Sequence, residues 1–319
     1  MNRTTFNNIV GLTFVLGLLL SCNNKPKNGR TDTYSSGTIS FYCDESFSPI
    51  IEEEVEVFEL AYPAAKVKPI YTNESKSIKM LMDTMTCLSI TSRRLKDSEK
   101  DNLKQRSFAP IEVPFAYDGL AIITNRSNPD TMITVKDFVR ILTGKATKWS
   151  DVYPKSKLGD FDVVFDNAKS SIVHYCEDSV LGGKPITSPK ISAVNKSSQV
   201  IDYVSSHKNA IGIIGSNWLN DKRDTSNVTF KKNIQVMAVS RMDKATVVNS
   251  WKPYQYYIFN KNYPLVRTLY AIINDPYHGL PWGFGQFLAS PKGQLIICKS
   301  GLMPVRGEVT IRDVNVSTE

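Results

Sequence analysis

From residue 38 onward, short runs of β-branched and aromatic residues alternate with stretches of helical period, which commits the chain to an α/β fold built around sheets. Residues 38–43 read as a strand. Ser48-Pro49 then opens a helix, because proline fits a first turn, and Glu52, Glu53 and Glu54 lie near its positive end. Ile51, Val55, Phe58 and Tyr62 form its apolar stripe and Pro63 ends it. Residues 67–71 are the next strand, Ile78, Leu81, Met82 and Met85 mark a helix, residues 88–91 are a third strand, and a charged helix follows near 97–105. The pattern continues with a strand at 120–124 and a helix capped by Thr134, with Asp137 in its first turn and Gly144 as its stop. Residues 163–165 form a strand feeding a helix through Ile172 and Tyr175. Val200, Ile201 and Val204 face inward on another helix before a strand at 210–214. Further strands fall at 236–239 and 269–273. A final helical region carries Phe284, Phe287, Leu288, Leu295 and Ile296, with Gly301 near its end.

Ahead of this lies a different kind of segment. Arg3 precedes a mainly apolar run, residues 9–20, that ends in Leu19-Leu20-Ser21-Cys22. A basic start, a run too short to span a bilayer and a small residue before a cysteine describe a secretory signal of the bacterial lipobox type. Cys22 is thus the expected site of lipidation, with residues 1–21 removed as a signal peptide. Residues 22–36 are polar and read as a lipidated flexible tether. The expected location is the cell envelope, on the periplasmic side of a membrane.

The rest of the 319 residues is long enough for two lobes. The net charge of +8 is spread along the chain rather than gathered in a patch, which argues against nucleic acid as a partner. Cys43, Cys87, Cys176 and Cys298 share no CxxC spacing; an exported chain could pair them, but buried free thiols are the better reading. His174, His207 and His278 are isolated in sequence, so no metal and no cofactor are expected.

Several strands run into serine-bearing turns ahead of helices: Asp44-Glu45-Ser46-Phe47, Asn73-Glu74-Ser75-Lys76-Ser77, Thr91-Ser92-Arg93-Arg94 and Asp166-Asn167-Ala168-Lys169-Ser170-Ser171. Helix starts offer unpaired N–H groups to anions, and ligands of open α/β sheets collect at the carboxyl ends of strands. A serine in such a turn can also be a plain helix cap. Repetition of the arrangement is what suggests a shared anion site.

Longer segments carry a resemblance. Asp118-Gly119-Leu120-Ala121-Ile122-Ile123-Thr124-Asn125 with Asn128-Pro129, and Leu142-Thr143-Gly144-Lys145-Ala146-Thr147-Lys148-Trp149-Ser150-Asp151, resemble the phosphate-binding proteins of bacterial phosphate ABC transporters. The second segment is close to that family's "FTGKITNWSDV". Ser92-Arg93-Arg94-Leu95-Lys96-Asp97, Ala210-Ile211-Gly212-Ile213-Ile214-Gly215, Tyr263-Pro264-Leu265-Val266-Arg267 and Phe287-Leu288-Ala289-Ser290-Pro291 follow in family order.

The resemblance implies a type II periplasmic-binding-protein-like fold: two α/β lobes joined by a two-strand hinge around a ligand cleft. Lobe I would comprise residues 37–117 plus 266–306, lobe II residues 118–265, and residues 307–319 a C-terminal tail. It further implies a monomeric, non-enzymatic receptor that captures phosphate or a similar oxyanion for an inner-membrane ABC permease complex. Its ligand-binding residues would be Ser46, Phe47, Ser75, Ser92, Arg93, Asn167, Ser170 and Ser171.

The fourth turn departs from the family pattern. Phe165 stands where the family has arginine, and Ala168 and Ser170 stand where it has glycines. Arg93 or Lys169 would then have to supply the positive charge. Two other readings stay open on the residues alone. One is a diverged binding fold used in sensing, adhesion or scaffolding. The other is an exported hydrolase, for which Ser46, Ser171 or Cys176 with His174 are the candidate groups, although no G-x-S-x-G elbow occurs.

Overall fold

The computed structural model describes residues 29–220 and 230–306. The expected signal peptide, Cys22 and the C-terminal tail lie outside the described residues. In chain order the first half contains β1 (Gly37–Asp44), α1 (Ser48–Ala61), β2 (Ala65–Thr72), α2 (Glu74–Met82), β3 (Leu88–Thr91), α3 (Asp97–Gln105) and β4 (Ile111–Asn125). The second half adds β5 (Met132–Thr134), α4 (Val135–Leu142), α5 (Trp149–Val152), β6 (Asp162–Phe165), α6 (Ser171–Tyr175), β7 (Ile191–Ala193), α7 (Ser197–Ser206), β8 (Ala210–Gly215), β9 (Ile234–Val236), β10 (Ala238–Ser240) and α8 (Gln255–Phe259). The chain then returns through β11 (Val266–Ile273), α9 (Leu280–Leu288), α10 (Pro291–Lys299) and β12 (Met303–Pro304).

One sheet runs in the order β2-β1-β3-β11-β4-β8-β6-β7, with β9 and β12 also paired to β4. The fold is the expected α/β, periplasmic-binding-protein-like one. Its pivot is β4, whose 15 residues serve both lobes. Residues 111–119 pair antiparallel with β11, and residues 120–125 pair with β8 and β9. The β4–β11 register shifts between Leu269 and Tyr270. Each lobe has its own core. Phe41, Phe58 and Phe284 meet edge-on or tilted in lobe I, while Trp149 packs on Phe161 and Tyr153 in lobe II.

Local sequence signals account for much of this. Thr134 caps α4 by accepting from the Asp137 amide at 2.9 Å, and Gly144 takes the positive φ of 71° that stops it. Four details differ from the reading above. Met85 and Leu295 are exposed, the first because α2 ends at Met82. Cys298 is exposed and Cys87 only half-buried, although no cysteine among the described residues is paired. Glu54, on the inward face of α1, is fully buried and neither carboxyl oxygen has a partner.

The fourth difference concerns the tether. Residues 30–36 are docked on lobe I, not free. Arg30 pairs with Asp32 at 2.6 Å and with the buried Asp275 at 2.8 Å, and Asp32 accepts from the Leu280 amide at 2.8 Å. The Tyr34 carbonyl sits so close to Gly283 that a Cβ there would come within 1.9 Å of it. Charge pairing and close backbone approach hold this segment, neither of which a count of apolar residues registers.

Candidate functional site

The turn after β1 begins with Asp44, whose carboxylate caps the short 3-10 turn Glu45–Phe47. Its Oδ1 accepts from the Ser46 amide at 2.9 Å and the Ser46 hydroxyl at 2.6 Å. Its Oδ2 reaches across the cleft to accept from the Ser171 amide, 127 residues on, at 3.0 Å. The Asn217 side-chain Nδ2 and the Trp218 indole N–H, both from lobe II, donate to the Ser46 carbonyl. The first turn is therefore bonded to the opposite lobe on both sides.

Arg267, from the returning hinge strand β11, lies at the centre and is almost fully buried. Its Nε donates to Asp118 Oδ2 at 2.9 Å, and its Nη2 lies 2.8 Å from the same oxygen. Nη1 donates to the Ser171 hydroxyl at 2.7 Å and Nη2 to the Ser46 hydroxyl at 3.3 Å. The guanidinium lies over the Phe47 ring, 4.7 Å from its centroid. Asp118 is held in turn by the amide and hydroxyl of Ser216, each at 2.8 Å. Gly215 makes room for the pair, since a Cβ there would meet Asp118 Oδ2 at 2.8 Å. The Ser46 hydroxyl proton goes to Asp44, so in the 3.0 Å Ser46–Ser171 contact Ser171 donates. A directed chain runs from Arg267 through Ser171 and Ser46 to Asp44.

The second and third turns meet on Glu74. Its Oε1 accepts from the Ser92 amide at 2.7 Å and the Ser92 hydroxyl at 3.1 Å. Its Oε2 lies 2.7 Å from His174 Nδ1, on the other lobe, and His174 Nε2 lies 3.2 Å from the Ser75 hydroxyl. Arg93 makes no hydrogen bond to Glu74 and acts on it only through its charge. It makes a bidentate pair with Glu99, both bonds 2.8 Å, and donates to the Arg94 carbonyl. Arg93, expected to grip an anion, thus has its fork engaged by Glu99 of α3, and the guanidinium that meets the Ser46 and Ser171 hydroxyls is that of Arg267.

In the fourth turn Ser170 caps α6 and donates its hydroxyl to Asp166 at 2.6 Å. The Asn167 amide also donates to Asp166, and the Asn167 side chain accepts from the Lys169 amide. Lys169 is exposed. Nearby, Glu45 accepts from the amide and hydroxyl of Ser197 at the start of α7.

These bonds set the electrostatics. Burial, then the charge of Glu74, raises Asp44 above the usual carboxylate range, against the pull of Ser46 and Arg267. Burial and Asp44 push Asp166 up to about 8, so it keeps its proton near neutrality. Burial also raises Glu45, against the Ser197 bonds. Glu74 goes the other way: burial is outweighed by His174, the Ser92 amide and Arg93, and it lies below the usual range. The Glu74 bond raises His174 despite burial.

A cavity of about 310 Å³ adjoins the serine cluster, lined by Asp44, Glu45, Tyr71, Asp166, Asn167 and Lys196 among others. Of the residues expected in a site, Ser46, Phe47 and Ser171 converge on Arg267. Ser75 and Ser92 gather around Glu74 and His174, and Asn167 and Ser170 surround Asp166. Sequence reasoning missed Arg267, Asp118, Asp44 and Glu74 as members. The available signals were the places of Asp44 and Glu74 inside the serine-bearing turns, and of Asp118 and Arg267 beside the two points where the chain was expected to cross between lobes. Among the described residues no group of three or more His, Cys, Asp or Glu side chains is placed to hold a metal ion.

The fold is a two-lobed α/β architecture with this polar constellation in its cleft, and the comparisons agree on the fold. A family model described as a PBP superfamily domain matches residues 28–292, so the chain belongs to the periplasmic-binding-protein superfamily. It is similar to the phosphate-binding protein PstS of Pseudomonas aeruginosa, 24% identical over 290 residues covering 86% of this chain and 85% of that one. The Staphylococcus aureus PstS is 23% identical over 267 residues, 83% of this chain and 76% of its own. Among solved structures, a phosphate ABC transporter substrate-binding protein from Clostridium perfringens with bound phosphate superposes with a TM-score of 0.70 at 23% identity, over 85% of this chain and all (100%) of that one. An ABC-type phosphate transport receptor from Vibrio cholerae gives 0.62 at 22% identity, over 84% and 100%.

Proposed function

We propose that this chain is the solute-binding component of an ABC-type importer, that it works on the outer side of a membrane, and that its ligand is phosphate or a similar oxyanion. The observation that carries the reading is the convergence of the Ser46 and Ser171 hydroxyls, one from each side of the cleft, on the buried Arg267 guanidinium. Hydroxyls and a guanidinium are the donors that charge-assisted oxyanion binding uses. The phosphate-binding relatives support the same ligand class. The chain acts as a receptor and not an enzyme. Titration calorimetry of residues 23–319 with phosphate, sulfate, molybdate and phosphate esters is the test. Saturable one-to-one binding of any of them sustains the reading, and silence toward all of them removes it.

The Leu19-Leu20-Ser21-Cys22 segment supports a lipid anchor at Cys22. Mass spectrometry of the mature N-terminus should find a diacylglyceryl cysteine, and an unmodified N-terminus elsewhere would contradict it. One observation favours a second reading, a binding fold retained for sensing, adhesion or scaffolding. The donors expected to hold an oxyanion already hold Asp44 and Glu74. A domain silent in the titration would favour that alternative.

A further inference from the structure

Resting on the reading of the cleft as an oxyanion site, we propose that Asp44 is a built-in competitor for it. Its carboxylate engages Ser46 and Ser171 as an oxyanion would, and an incoming oxyanion binds only by displacing or neutralising it. The geometry is that of a bound anion. One oxygen takes the Ser46 amide and hydroxyl at 2.9 and 2.6 Å, and the other takes the Ser171 amide from the facing lobe at 3.0 Å. Asp44 is 1% exposed, and the hydroxyls of the same two serines are those to which Arg267 donates.

The cations in contact with the serine cluster are already matched, and Lys196 lies farther out in the wall of the adjoining cavity. Arg267 is matched by Asp118, with side chains 1% and 0% exposed, and His174 is matched by Glu74. The groups facing Asp44 from the packed elements are Glu74 on α2, Arg267 on β11, Asp166 after β6, His174 on α6, and Glu45 and Cys43 beside it in sequence. An ionised Asp44 and an oxyanion at the same donors repel each other.

Binding therefore favours protonated Asp44. The bound state holds more protons than the free state, so by linkage affinity rises as pH falls. Asp44 thereby sets which anions enter and when, as a repulsive element in the cleft.

The experiment is calorimetric titration with sulfate, whose own charge is constant over the range, and with inorganic phosphate. Full-length protein and its Asp44→Asn variant are compared at about pH 5.5 and about pH 7.5. The expected result is that sulfate binds wild type about tenfold tighter at the lower pH. Asp44→Asn binds it at the higher pH at least about tenfold tighter than wild type and loses most of the pH dependence. A pH slope equal in the two proteins assigns the proton to another group such as His174 and overturns the proposal. So does an Asp44→Asn variant that binds more weakly than wild type, which would make Asp44 an ordinary ligand contact. In both of those cases the oxyanion reading survives. If neither protein binds either anion at either pH, that reading falls and the proposal with it. The wild-type pH arm needs no variant, so misfolding of Asp44→Asn leaves the proposal open to refutation.

Discussion

The Ser171 hydroxyl stands 3.0 Å from the Ser46 hydroxyl although 125 residues separate them, and one guanidinium donates to both. The guanidinium belongs to neither turn. It comes from the strand that closes lobe I, so the cleft is assembled from three parts of the chain that only the finished fold unites.

Arg267→Met should destabilise the protein by about 3–5 kcal/mol, because it leaves the buried Asp118 without its cation. Adding Asp118→Leu should return at least half of that, since the unpaired charge is then gone. Urea unfolding of both variants measures this. A single variant within about 0.5 kcal/mol of wild type would show that the pair carries no electrostatic weight.

The His174–Glu74 bond should stabilise the folded protein most in mildly acidic solution. His174 is raised above its ordinary 6.5, so its share is complete below that value and fades as pH climbs through the folded pKa. Glu74 is lowered from 4.5, so its share is present above that value and is lost as pH drops through the lowered one. The stability difference between wild type and His174→Gln should therefore peak between those two ordinary values and shrink on both sides. A difference that grew toward alkaline pH would contradict the assignment.

Glu54 should act as a hidden proton store. Burial without partners raises its pKa to about 9. The folded state keeps a proton that the unfolded state releases above 4.5, so stability declines between those values by about 1.4 kcal/mol per pH unit at most. Glu54→Gln should flatten the decline by one proton's worth, read from urea midpoints across neutral pH. An unchanged slope would place the titration elsewhere, with Asp166 the next group to test.

Arg30→Ala should loosen the docked segment ahead of β1. Asp275, with no exposed side-chain surface, would lose its cation but keep the Gly279 amide. The expected cost is about 1–3 kcal/mol, together with faster proteolysis on the N-terminal side of residue 37. Cleavage rates equal to wild type would mean that Asp32 and the Tyr34–Gly283 contact suffice.

What the sequence disclosed was what short-range physics encodes. Residues 88–91 read as a strand and form one, and Thr134 with Asp137 reads as a cap and is one. The stripe of Ile51 and Phe58 is buried as its spacing implies. The partners that define the cleft lie far apart: Asp44 with Ser171, Glu74 with His174, Asp118 with Arg267. No local pattern ranks those pairings above solvated alternatives. Arg93 was conspicuous in its motif, but nothing in the motif showed that Glu99, six residues on, would take its fork.

The strand order also dictates a timetable for a chain made from its N-terminus. In lobe I, β3 and β4 do not touch each other, because β11 lies between them. Until residue 273 exists, that sheet has a slot in its middle and its apolar faces lack a neighbour. Lobe II has no such slot: every strand paired to the far end of β4 is complete by residue 236, and Tyr263 and Leu265 join its core before β11 is made. The half synthesised later is thus the half able to fold first, and the opening residues must be kept from premature association until the last strands thread between them. A chain with this topology stays open to handling by other proteins until its last strands have been made.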